Sequence, residues 1–163
     1  MKSFTDNTGR TWTLAVNVGT IKRVRALCDV NLANIITIDS GATPKVDLLE
    51  RLGNDPVLLV DVLYAAVKPE ADTKGISDQE FGQAMSGDAV EMATTALLDE
   101  VIDFFPETKR KVFRKILDAT RRFEAKSKAA LQTLLDDPAL DGKIDAALAQ
   151  LMTSSGNSQE SQE

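Results

Sequence analysis

Histidine is absent from this chain of 163 residues, and cysteine occurs once, as Cys28. The first absence removes the commonest general base and the commonest zinc ligand. The second rules out an intramolecular disulfide and gives no sign of an oxidising compartment. No apolar run approaches the roughly 20 residues that span a bilayer, and the opening MKSFTDNTGRTWTL lacks the hydrophobic centre of a signal peptide. A cytoplasmic protein of the bacterial or host cell is expected, without membrane association. Most hydrolytic and transition-metal mechanisms lose their usual side chains, so no enzyme, cofactor, metal or small-molecule substrate is expected.

Basic residues are also scarce, 19 against 25 acidic, for a net charge of -6. That balance argues against general nucleic-acid binding, which needs a basic face. The average hides a patch: residues 1–106 carry -7, residues 107–128 carry +6 and residues 129–163 carry -5.

With 43% hydrophobic residues the chain can bury one real core. Phe4, the turn-forming DNTG, then Trp12, Leu14 and Val16 at period two predict a β-hairpin over about residues 3–16, with Phe4, Trp12 and Leu14 as its packing side chains. From Thr20 the spacing becomes helical, with Ile21, Val24, Leu27 and Cys28 on one face. Residues 29–46 read as a loop with a brief extended piece at Ile35 to Ile38. LLERL predicts a short helix closed by a left-handed cap at Gly53 and Asn54. PVLLVDVLYAAV, with Pro56 at the first position, predicts the central core helix, and KPEADTKG a loop after it. Ser77 and Glu80 have capping-box spacing.

Asp88 begins the best-patterned helix, and Pro106 ends it, because proline disfavours helical geometry in the residue before it. A long basic helix follows, from about Glu107 to Leu135, with Phe104 and Phe105 filling the corner and the acidic and basic helices approaching each other. The fold class is therefore mainly α, with an N-terminal hairpin, a helical domain and a long basic C-terminal helix. Residues 1–136 form one domain in this reading, 137–152 a short helix and 153–163 a disordered tail.

Glu91, Asp99, Glu100 and Asp103 come without a phosphate-binding or calcium-binding loop and read as a solvated helix face. Cys28 reads as a core side chain. The run KRKVFRKILDATRRFEAKSK can be read as phosphate-binding, with Arg114, Arg121 and Arg122 among its contacts, or as a helix that balances an acidic body and packs through its apolar stripe. The second reading is favoured, because the charges run around the helix and only Phe113 and Phe123 interrupt them. Large aromatics dominate interfaces, so Trp12, Phe81, Phe104, Phe105, Phe113 and Phe123 are the partner-contact candidates, although each also suits a core.

The stretches FTDNTGRTWTLAVNVGTIKRVRALCDVNL and SDQEFGQAMSGDAVEMATTALLDEVIDFFP resemble the tail assembly chaperones of tailed phages and prophages, over roughly Phe4 to Pro106. The resemblance implies a small, helical, acidic and non-enzymatic protein. It implies binding to the tape measure protein, with the tail tube protein and self-association as further partners, and loss from the finished particle. It also implies a longer frameshifted form, extended near the C-terminus. The alternatives are a tail or neck component retained in the virion, and a nucleic-acid-binding regulator that uses residues 109–128.

Overall fold

The computed structural model describes residues 1–41 and 43–155. Its mainly helical fold opens on the expected hairpin, in which β1 (Lys2–Thr5) and β2 (Thr11–Leu14) pair antiparallel with Phe4 opposite Trp12. Alternation puts Phe4, Trp12 and Leu14 on one face, and all three are buried. The turn between the strands is built on Asp6. Its enclosed carboxylate accepts hydrogen bonds from the Thr8 and Arg10 backbone N–H groups, the Thr8 hydroxyl, Arg10 Nε and Trp12 Nε1. Gly9 supplies the positive φ, 82°, that this turn requires.

Helix α1 (Val18–Cys28) starts where the Asn17 side chain accepts from the Thr20 N–H, and it ends on Asp29 in the left-handed region. Val24 is buried, whereas Leu27 is 56% exposed and leaves the expected apolar face. The following segment holds a 3-10 turn, Leu32–Asn34, and a two-residue ladder of β3 (Thr37–Ile38) with β4 (Pro44–Lys45). Val30, Leu32, Ile35 and Ile36 anchor it to the core.

Helix α2 (Asp47–Asn54) continues through Gly53 and Asn54, so the expected left-handed cap does not form. Asp55 ends α2 and caps the next helix instead, accepting from the Leu58 N–H. That helix, α3 (Pro56–Lys74), corrects the expected loop over residues 68–75, because it passes through Pro69 and stops only at Gly75. Pro69 has no N–H to give the Ala65 carbonyl four residues back. Arg23 of α1 makes up the loss, with Nε donating to Ala65 O at 2.6 Å and Nη2 to Ala66 O at 2.9 Å. The proline is tolerated because a neighbouring helix satisfies what it frees.

Helix α3 is the centre of the core, packing against α1, α2, β2, α4 (Asp78–Gln83) and α5 (Asp88–Asp103). Ser77 and Glu80 form the predicted capping box at the start of α4. Phe81 of α4 meets Trp12, Tyr64 and Phe4 with ring centroids 5.1, 5.5 and 6.4 Å away, joining the hairpin to α3. Complete burial of such a ring contributes about 2–3 kcal/mol. The hairpin turn is also held from the far side of α4: the Asn7 N–H donates to Ala84 O, and its amide group to Ser86.

Pro106 separates α5 from α6 (Glu107–Leu135), as the sequence predicts. The chain divides into two units, Met1–Ile116 and Leu117–Glu163, with the division inside α6. The second unit holds the rest of α6 and α7 (Leu140–Ser155). The expected disordered tail begins within the last turn of α7, and its residues 156–163 lie outside the described residues. No helix among the described residues is long and apolar enough to cross a membrane.

Candidate partner-binding surface

The aromatic candidates separate cleanly by burial. Trp12, Phe81, Phe105 and Phe113 belong to the core of the first unit, so none of these rings offers a surface contact. Phe104 is half-buried beside Phe105, in an edge-to-face pair at 5.5 Å. Phe123 alone among the six is openly exposed, at 72%.

The corner between α5 and α6 shows what the first basic residues of α6 do. Phe105 and Phe113 meet edge to face at 5.0 Å, and the Lys109 ammonium lies 4.8 and 5.4 Å from their ring centres. A cation over aromatic faces is stabilised by the ring quadrupole. Arg114 pairs with Asp103 of α5, and Lys111 with Glu107 one turn before it. The acidic and basic helices therefore do meet at the joint. These ion pairs are solvent-exposed and worth about 0–1 kcal/mol each, so they set register more than stability. Arg121 is half-buried and Arg122 exposed, both in the second unit.

Within the second unit, helical spacing gathers the apolar residues into stripes. On α6 Phe123, Leu131 and Leu134 recur at eight and three and are exposed. On α7 Ile144, Leu148 and Met152 recur at four and are also exposed. Charge changes sign between the helices, from Arg121, Arg122, Lys126 and Lys128 to Asp136, Asp137, Asp141 and Asp145. Asp137 organises the turn between them, accepting from the Lys143 ammonium and the Ala139 N–H, and these bonds, the first above all, hold its carboxyl below the usual carboxylate range. Each helix thus carries large apolar side chains in water at helical spacing.

Three further titratable groups, Cys28, Asp6 and Glu100, lie in enclosed or half-enclosed surroundings. Burial, then the charges of Asp61 and Asp78, push the Cys28 thiol up to about 11, so very little nucleophilic thiolate exists near neutrality. At Asp6 burial opposes ionisation, but the hydrogen bonds from Thr8, Trp12 and Arg10 outweigh it and hold the carboxyl well below its ordinary range. Glu100 departs from the expected solvated face, being 7% exposed and paired with the Met1 amine at 2.7 Å. Among the described residues no group of three or more acidic or thiol side chains is placed to hold a metal ion.

Sequence reasoning missed a groove of about 700 Å³ between β1 and α5. Glu91 and Asp99 of its wall read as plain solvated helix, and no residue pattern in the sequence marks the groove. In comparisons with family models, curated proteins and solved structures, nothing matches the chain.

Proposed function

We propose that this protein is a non-enzymatic tail assembly chaperone, binding the tape measure protein of a tailed phage or prophage in the cytoplasm until tail tube subunits enclose it. The observation that carries the reading is the exposed apolar surface of the second unit, in which Phe123, Leu131 and Leu134 lie on α6 and Ile144, Leu148 and Met152 on α7. Side chains of this size at helical spacing, left in water, are what a helix-rich client would cover. The acidic body supports the reading too, since net charge keeps a complex with an apolar client soluble. The resemblance over Phe4 to Pro106 supplies the family, and the corner at Pro106 leads directly into the helix that carries Phe123.

Co-expression with the tape measure protein of the same genome tests this. The reading expects soluble client that co-purifies with the chain, and little of the chain in finished particles. Insoluble, unbound client would overturn it. Stoichiometric protein in particles would instead favour a virion component. Steeply salt-dependent DNA binding that is lost on replacing Arg121 and Arg122 by alanine would favour a nucleic-acid regulator.

A further inference from the structure

The two edges of the N-terminal hairpin are treated differently. On β2 the outward backbone groups are taken by α3: Thr13 N–H donates to Glu70 Oε2 at 2.8 Å, and Thr11 O accepts from Lys74 Nζ at 2.7 Å. Both N–H and C=O of a strand residue point to the same side in an antiparallel ladder. Thr11 and Thr13 therefore face away from β1, and their partners Thr5 and Ser3 face away from β2. The close Thr5–Thr11 hydroxyl contact, 3.4 Å, is what a non-hydrogen-bonded pair gives. Among the described residues, no hydrogen bond uses the outward backbone of Ser3 or Thr5. Exposed edges of this kind invite another strand.

What lies beside that edge is a groove of about 700 Å³ whose other wall is α5. Asp88, Glu91, Met92 and Asp99 line that wall, with Lys2 the single cation among the lining residues. Met92 is 51% exposed and gives an apolar foothold. From Asp88 to Asp99 the helix rises about 16 Å, the span of about five extended residues. The free edge does not run beyond Thr5, because the Asn7 N–H already donates to Ala84 O.

We infer that the outer edge of β1 and the facing side of α5 form a docking groove for an extended peptide segment with basic side chains at alternate positions, added as a third strand beside β1. Ser3 and Thr5 supply its backbone hydrogen bonds, Met92 its apolar contact, and the α5 carboxylates its charge preference. A second copy offering its own β1 would bring a second set of α5 carboxylates beside the first, which disfavours that occupant. The inference goes beyond the chaperone reading and stands or falls separately.

The test uses the full native chain, so no variant has to fold. A capped heptapeptide of alternating lysine and valine is titrated into isotopically labelled protein, and amide exchange is followed by NMR. The expected result is that exchange of the Ser3 and Thr5 amides slows by at least about tenfold, an effect lost with a glutamate–valine peptide or with one N-methylated at alternate positions. Equal protection by the glutamate peptide would overturn the charge assignment, and equal protection by the N-methylated peptide the added strand. Unchanged Ser3 and Thr5 exchange would overturn the groove as a site. Protection that rises with protein concentration and without peptide would assign the edge to a second copy and overturn the proposed occupant.

Discussion

The guanidinium of Arg23 donates through Nε to the carbonyl oxygen of Ala65 at 2.6 Å, the acceptor that Pro69 leaves without its helical donor. Two residues 46 positions apart, Arg23 and Pro69, thus settle whether α3 is one helix or two. Replacing Arg23 by methionine keeps much of the packing volume and strands the Ala65 carbonyl, while Ala66 O keeps the Glu70 N–H four residues on as its helical donor. The expected cost is about 1–3 kcal/mol. In a Pro69→Ala background the helix recovers its own N–H for Ala65, so the same substitution should cost less. Urea unfolding of the four proteins measures the coupling; equal costs in both backgrounds would refute the compensation.

Asp6 predicts a pH dependence. Its folded carboxyl titrates below its unfolded value of about 3.9, so its stabilisation is complete above that value and is lost progressively as pH falls from there toward the lower folded value. Asp6→Asn should cost about 2–3 kcal/mol at pH 7, with Trp12 and Arg10 losing a charged acceptor. Between pH 5 and pH 3 the gap between native protein and variant should narrow by about 1 kcal/mol. Denaturant midpoints across that range give the answer, and a constant gap would contradict the assignment.

The thiol of Cys28 should be sluggish. With the group pushed up to about 11 by burial and then by the Asp61 and Asp78 charges, its reaction with a disulfide reagent at pH 8 should run about a hundredfold slower than that of free cysteine. The rate should climb about tenfold per pH unit up to that value. A plateau near pH 9 would show an ordinary thiol.

At the end of α1, Asp29 holds φ 52°, a left-handed conformation that glycine adopts without strain. Asp29→Gly should stabilise the protein by about 0.5–1 kcal/mol, read as a raised urea midpoint. A lowered midpoint would mean that the carboxylate does more than occupy the cap.

Several parts of this structure were legible in the sequence because their causes are local. Period-two apolar residues around DNTG gave the hairpin, Ser77 with Glu80 gave the capping box, and Pro106 gave the boundary between α5 and α6. Pro69 misled because its consequence is decided by Arg23, on another helix, which no local pattern reports. Glu100 misled for a similar reason: its pairing with the Met1 amine crosses nearly the whole of the first unit in sequence. Among the aromatic candidates residue type could not separate surface from core, and only packing shows that Phe123 is exposed while Phe113, ten residues earlier on the same helix, is fully buried. The groove beside β1 was invisible because strand edges have no residue code.

The central claim is that the apolar surface of the second unit holds a client, and the most direct measurement compares native protein with a variant carrying Phe123→Glu and Leu131→Glu in co-expression with the tape measure protein. Both positions are exposed, at 72% and 61%. Folding stability should therefore change by no more than about 0.5 kcal/mol at either site. The account predicts that the native chain keeps the client soluble and co-purifies with it, while the folded variant does neither. A folded variant that solubilises the client as well as the native protein does would contradict it.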